Sequence, residues 1–558
     1  MALRQWSISS VLISGSETRT LSNSRCHATI CAIAIDDYQA RPKGLPAVSR
    51  TRTRLLWAVL ILAAFLLRLV FIYFIGGNLD GDSNGYLILA RNLLREHVYS
   101  IRSATPFDPT FTRLPGYPLF IALIYSIRAD SLIAIRLAQA LVDTLTCVAV
   151  AALAYRWEPD EKRRRAAAIA AFVLAGVCPF TLRYVPAILK ETLSTFLAVM
   201  PALAAGRALL SKTRRKALGW WVATGFLCGL AALVRPDAVL LVVAALATLV
   251  IAAIYECAAR RSDQTRLRKT IPSLTHASLC ATTFVLAFTF TLAPWPIRNE
   301  VVFHQFILLE PRYQSLPNGF VPAGYYEWLR TWVDDERYVK PLRWELNYSA
   351  ITLDQIPAKA FDSAEERARV AELLEQYNHP RLDPSTIDST TRVSMTPEID
   401  LGFAGIATER RGRGPLRFYI LLPAKRALSL WFDTHSDHFP FAGELFPIPD
   451  RSYFQNGTHS YAGYATLWLF AILAWLYTLL GLGGTRRLWS SGEFITQTFV
   501  LFIALIIITR VAFFSTLDNP EPRYLVQLFP FLSASGGIAI AGLIARRKSR
   551  GRVWVSSE

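Results

Sequence analysis

The chain of 558 residues is 53% hydrophobic, 12% aromatic and 18% charged, and its 60 Lys and Arg against 42 Asp and Glu leave a formal charge of +18. A soluble protein of this length carries about 25% charged residues, so an ordinary water-soluble enzyme is excluded and part of the solvent is lipid. The positive excess would suggest a nucleic-acid partner in a soluble chain, but here it gathers in short loops between apolar runs, where it sets orientation instead.

In chain order, residues 1–54 read as a cytoplasmic tail, disordered, bearing Ser and Arg and lacking the apolar core of a cleaved signal peptide. Apolar runs of about 20 residues, enough to cross the hydrocarbon core as a helix, follow. They lie at 55–76, 131–155, 166–185, 187–210, 218–234, 236–255, 276–297, 461–483, 494–516 and 523–545. The stretch from Leu218 to Tyr255 is too long for one crossing and is divided by Arg235, Pro236 and Asp237. Cationic clusters at 41–54, 162–165, 212–216, 260–269, 486–487 and 546–552 fall on one side when these runs are threaded in order. That side is expected to be cytoplasmic.

The fold class predicted is therefore an all-α polytopic membrane protein of about ten transmembrane helices, with both termini inside. An N-terminal membrane domain covers 55–297 and carries an outer loop at 77–130. A mixed extracytoplasmic domain covers 298–460, C-terminal membrane helices 461–545, and a cytoplasmic tail 546–558. The seven cysteines lie in the tail or in and beside the spans, with none between 298 and 460, so the outer domain has no disulfide framework. No phosphate loop of the G-x-x-x-x-G-K-[ST] type and no fixed-period repeat is present.

The first outer loop opens with Asp80-Gly81-Asp82-Ser83. Two acids one residue apart repel each other, which suggests a working role. From 84 to 97, Tyr86, Leu87, Leu89, Ala90, Leu93 and Leu94 recur at helical spacing, predicting an interfacial helix with Ser83 as its N-cap. Pro115 and Pro118 exclude a regular helix before Leu119 to Ile127, which is too short to span, and Arg113 lies at headgroup depth. Arg68, Arg136 and Asp143 stand inside predicted spans, where unpaired charge is costly. Arg136 and Asp143 are about 10.5 Å apart along a helix, so Asp143 needs another partner, and Arg68 is a candidate.

Beyond the membrane runs, Asp433-Thr434-His435-Ser436-Asp437-His438 lacks the spacing of a metal site and reads as a solvated loop. Trp328 and Trp332, at i and i+4, read as core of the outer domain. The run 361–377 reads as a solvated helix with i,i+4 charge pairs, and 415–432 as a further interfacial helix.

The succession Asp82, Tyr86, Ala90, then Arg113-x-Pro115-Gly116-Tyr117-Pro118-Leu119 resembles the first outer loop of GT-C glycosyltransferases, closest to family 39. That branch holds dolichyl-phosphate-mannose protein mannosyltransferases and lipid A aminoarabinose transferases. Further matches are Leu189-Lys190-Glu191, Leu233-Val234-Arg235-Pro236-Asp237, Ala293-Pro294-Trp295-x-Ile297-Arg298-Asn299 and Glu521-x-Arg523-Tyr524, so the resemblance runs over roughly 60–545. It implies an integral membrane glycosyltransferase that moves a sugar from a polyprenyl-phosphate carrier to an acceptor hydroxyl of a lipid, glycan or protein outside the cytoplasm. The expected setting is a bacterial inner or plasma membrane. No cofactor is implied as required, and a divalent metal stays open. Membrane lipids are expected partners and nucleic acid is not.

The resemblance makes the first-loop acid catalytic, and the chemistry assigns the roles. A carboxylate must take the acceptor's proton as attack begins, and cations must hold the departing phosphate. Asp82 is the expected general base, with Asp80 as alternate or orienting partner and Glu191 as the second acid that the family places there. Arg113, Arg235 and Arg298 are candidate phosphate contacts, and no metal site is expected. Each has a plain structural reading beside it: Asp82 as a helix cap, Glu191 as an interfacial ion pair, Arg113 as a snorkelling anchor, Arg235 and Arg298 as turn anchors. Glu521 and Arg523 read as a structural pair. The rival readings are a flippase or transporter of lipid-linked sugars, which would place its polar groups nearer the midplane, and a scaffold with a large outer domain.

Overall fold

The computed structural model describes residues 47–75, 79, 81–262, 274–311, 319–379, 381–382, 391–432, 439, 441, 443–446, 448–449, 454 and 460–555. Of the expected tail 1–54, residues 1–46 lie outside them, while 47–54 are not a disordered tail but the first two turns of the helix Ala47–Ile75. Residues from Leu55 onward form one compact unit.

Among the described residues, nine helices are long and apolar enough to cross a membrane: Thr51–Ile75, Leu132–Trp157, Glu191–Leu209, Arg214–Val234, Pro236–Tyr255, Thr275–Leu292, Tyr461–Trp489, Phe494–Ser515 and Pro522–Arg547. The remaining expected crossing, 166–185, is not one continuous helix. It is a helix Arg164–Gly176, a break, and a single turn Pro179–Leu182. Pro179 has no N–H to continue the ladder and disfavours helical backbone at Cys178.

The broken segment still connects the two ends of the bundle. At one end, buried Glu158 receives Arg487 at 2.9 Å and Arg163 at 3.4 Å, and Trp157 stacks on Phe499 at 3.8 Å. At the other end, Phe180 stacks on Phe529 at 4.2 Å. The clusters 162–165 and 486–487 thus share an end, while the turns after Val234 and Ser515 meet at the opposite one.

The helices approach closely through small residues, as packing without a hydrophobic driving force between helices requires. A Cβ on Gly484 would fall 1.8 Å from the Ser535 carbonyl oxygen. Gly484→Ala is therefore expected to force helices 461–489 and 529–555 apart, costing about 1–3 kcal/mol. Thermal unfolding in detergent checks this, and an unchanged midpoint would refute it.

Arg68, fully buried, donates to Asp143 Oδ2 through Nε at 2.9 Å and Nη2 at 2.6 Å. Its Nη1 donates to the carbonyls of Ala64 at 2.8 Å and Gly176 at 3.1 Å. The second of these belongs to the last turn of the broken helix, where carbonyls lack intrahelical partners. Arg136 turns elsewhere, donating to the Pro186 carbonyl at 3.0 Å.

The segment 298–460 builds a second core from Tyr325, Trp328, Trp332, Val370, Leu374 and Phe403. Where a mixed domain is expected, the long elements among the described residues are all helices: Ala323–Arg330, Ala364–Asn378, Pro397–Arg413 and Leu422–Phe432. One two-residue antiparallel pair, Arg381–Leu382 with Thr391–Arg392, accompanies them. The 364–378 helix is not simply solvated. Glu366 is buried and pairs with Arg410 of the next long helix, because that face packs on it. The helix Leu422–Phe432 and the turn before it leave Tyr419, Ile420, Leu421 and Leu428 exposed, as an interfacial element would.

Candidate active site

The site lies at the end of the bundle opposite Glu158. Its first element is the helix Gly81–Arg95, which starts two residues before the expected cap. Ser83 is therefore inside the first turn and buried, and Asp82 is the acid of that turn, where a helix N-terminus favours negative charge.

Arg113 arrives from the neighbouring loop. The helix after it begins at Gly116, not after Pro118 as expected. Pro118 is accommodated because first-turn N–H groups have no helical partner to lose. Gly116 is required there, since a Cβ would sit 2.7 Å from the Leu233 carbonyl oxygen. This close approach sets the loop between the first two spans against the end of the 214–234 helix. Tyr117 also donates its hydroxyl to Gln139 Oε1 at 2.6 Å, and packs edge-on to Tyr86. So held, Arg113 Nη2 lies 2.5 Å from Asp82 Oδ1, 5.6 Å from the centre of the Tyr86 ring, and 3.9 Å from Glu310 by its Nη1.

Glu191 opens the helix Glu191–Leu209, and the loop before it is clamped by the 132–157 helix. Gln139 Nε2 donates to the carbonyls of Val185 and Ala187, and Arg136 to that of Pro186. Glu191 is 3% exposed. Its Oε1 receives Arg235 Nη1 at 3.0 Å, and its Oε2 has no hydrogen-bond partner among the described residues. Arg235 Nε in turn donates to Asp237 Oδ1 at 2.9 Å, and Arg510 Nη1 stands 2.5 Å from Asp237 Oδ2.

The two groups are joined by the segment that opens the helix after Pro522. Arg523 Nη1 is 3.6 Å from Asp82 Oδ2, and its Nε pairs with Glu521. The Tyr524 ring lies 5.5 Å from the Arg235 guanidinium and 5.6 Å from that of Arg523. Lys190 completes the cationic lining. Burial lowers its pKa, but the neighbouring Tyr86 and Glu310 outweigh this and the net direction is upward.

Of the residues singled out by sequence, Asp82 and Arg113 meet directly, and so do Glu191 and Arg235. Asp80 lies outside the described residues, as do Asp433 to His438. Arg298 stands apart from both acids. It donates to the Thr110 carbonyl at 2.8 Å and Asn299 Oδ1 at 3.0 Å, among the rings of Tyr99, Trp295 and Phe303. Among the described residues no three His, Cys, Asp or Glu converge as a metal-ligand set.

Glu310 and Arg510 are not among the residues singled out above, and Arg523 enters there only as a structural pair with Glu521. Arg510 carried the same signal as Arg68, a cation inside an apolar run. Glu310 follows Ile307 and Leu309, which pack on a buried aromatic cluster with Tyr99 and Trp295. An acid at the end of such a packed strand of chain was the available clue.

Residues 109–288 match the family described as dolichyl-phosphate-mannose-protein mannosyltransferase. No curated protein matches. Among solved structures, the chain is similar to the archaeal oligosaccharyltransferase AglB from Archaeoglobus fulgidus, solved with an inhibitory peptide and a dolichol-phosphate. Identity is 14% and the TM-score 0.44, covering 90% of this chain and 52% of that one. It is also similar to ArnT from Cupriavidus metallidurans bound to undecaprenyl phosphate, at 15% identity and TM-score 0.33, over 86% of this chain and 77% of the other. The arabinosyltransferase EmbB from Mycobacterium smegmatis shows 14% identity and TM-score 0.32, over 92% and 43%. The chain thus spans about half the length of the archaeal protein.

Proposed function

We propose that this chain, of the GT-C mannosyltransferase type over the residues that match, moves a sugar from a polyprenyl-phosphate carrier to an acceptor hydroxyl by a single inverting displacement. The observation that carries the reading is Asp82, held at a helix N-terminus with Arg113 on one carboxylate oxygen and Arg523 near the other. An acid so placed faces cations that an incoming phosphate can recruit.

In this reading the acceptor oxygen attacks the anomeric carbon while its proton passes to Asp82. The bond from that carbon to the phosphate oxygen breaks, and the electron pair leaves with the lipid phosphate. Arg113, Lys190 and Arg235 offset the charge that develops there. Glu191 holds Arg235 with one oxygen and so fixes that guanidinium for the phosphate. Asp80 is proposed as an orienting neighbour of Asp82. Arg298 acts at a distance, fixing the Thr110 carbonyl and so the stretch that leads to Arg113. No required metal is proposed.

By the positive-inside rule, the Arg163 and Arg487 end is cytoplasmic and the site opens on the outer face of a bacterial inner or plasma membrane. The segment 298–460 is proposed to select the acceptor, be it lipid, glycan or protein.

The test uses purified full-length protein with a panel of polyprenyl-phosphate sugars and acceptors. Release of free lipid phosphate, coupled to acceptor glycosylation, is the expected result. Movement of intact labelled carrier across a vesicle without sugar transfer would replace the reading with that of a flippase. The charges that a transporter would use within the membrane, Arg68 and Asp143, are already spent on each other.

A further inference from the structure

The turn between helices 494–515 and 529–555 carries Glu521, Arg523 and Tyr524 into the site, yet it is gripped from the outer segment. Arg330 Nε donates to the Thr516 carbonyl at 2.8 Å. Arg343 forms an ion pair with Asp518, with side chains 9% and 2% exposed, and its guanidinium lies against the rings of Tyr326 at 4.6 Å and Trp344 at 5.1 Å.

From Asp518 the chain of contacts runs inward. Asn519 Nδ2 donates to the Tyr524 hydroxyl at 2.6 Å, which donates to Glu521 Oε1 at 3.0 Å. Glu521 pairs with Arg523, and Arg523 reaches Asp82. A buried ion pair is costly to form and costly to break from one side, so this one does more than decorate a loop. Arg330 is itself tied down, because buried Arg426 of the 422–432 helix donates to its carbonyl and to that of Val333.

We infer that Arg343 and Asp518 form a latch through which the outer segment aims Arg523 at Asp82. They are positioning residues for the transfer reaction, and the inference rests on the reading above. Arg523 is then the member of the cationic lining whose placement depends on the outer segment. An acceptor bound by that segment would be sensed at the base through this latch.

The test compares wild type with Arg343→Gln, Asp518→Asn, the double variant Arg343→Gln/Asp518→Asn, and the charge swap Arg343→Asp/Asp518→Arg, all as full-length protein in detergent. Hydrogen exchange over 516–524 is expected to quicken about tenfold in each single variant, with helix 214–234 unaffected. With the donor that wild type turns over, kcat is expected to fall about tenfold while the donor KM stays within about twofold. The double variant should be no worse than either single one, since contacting residues do not add, and the swap should recover most of both losses.

Unchanged exchange in the single variants would overturn the latch. So would faster exchange with wild-type kcat, additive losses in the double variant, or a swap no better than the singles. Should wild type release no lipid phosphate from any donor of the panel, the transferase reading falls, and the exchange pattern still decides whether the latch exists.

Discussion

Asp82→Asn is expected to abolish release of lipid phosphate, lowering kcat by about 10²- to 10⁴-fold, the usual contribution of a positioned proton acceptor. The substitution keeps the shape of the side chain and one acceptor oxygen, so Arg113 can still be met. What it removes is the capacity to take a proton as the acceptor oxygen attacks. The pair with Arg113 is part-exposed, its Asp82 side chain being 30% accessible, and pairs of that kind add at most about 1 kcal/mol to stability. The variant should therefore unfold near the wild-type temperature and insert normally. Binding of the released carrier should persist, read as thermal stabilisation by a polyprenyl phosphate. Wild-type turnover in this variant would end the assignment of Asp82 as base and move attention to Glu191, whose Oε2 stands unpartnered among the described residues.

The second large effect is on stability. Asp143→Leu is expected to cost about 3–5 kcal/mol, because it leaves the Arg68 guanidinium buried with no counter-charge. The double variant Arg68→Met/Asp143→Leu should regain most of that loss, since no charge is then stranded. Full recovery is not expected. The Gly176 carbonyl, at the end of the broken helix, would still lose the donor that Arg68 supplies. Thermal unfolding of the three proteins in one detergent measures this, and a single variant as stable as wild type would show that the pair is solvated or dispensable.

Much of the membrane architecture could be read from the sequence because the bilayer imposes a length. Runs of about 20 apolar residues have few alternatives, and the Arg68–Asp143 contact followed from the cost of charge in such a run. The break at Cys178 was legible in principle, since Pro179 stands inside the apolar stretch, but apolar length alone hides it. Ser83 failed as a cap because the helix had room to begin at Gly81. The pairing of Asp82 with Arg113 was only half visible: resemblance supplied both residues, while the contact depends on Gly116 meeting the Leu233 carbonyl, which no periodicity encodes. Arg523 and Glu310 were harder still. Each reaches Asp82 or Arg113 from a distant part of the chain, and such meetings are products of packing.

The separation of Asp82 and Arg523 along the chain also has a consequence for biogenesis. During synthesis the acid emerges early, and the cation that approaches its second oxygen emerges only after the segment 298–460 and the helix Phe494–Ser515 have been made. Until then, the nascent chain holds the carboxylate without the Arg523 guanidinium and the turn 516–521 that aims it. The site is thus closed by a late step of synthesis, and a ribosome-bound intermediate ending before Asp518 lacks both the Arg523 cation and the helix Phe529–Val555 that packs on helices 164–176 and 461–489.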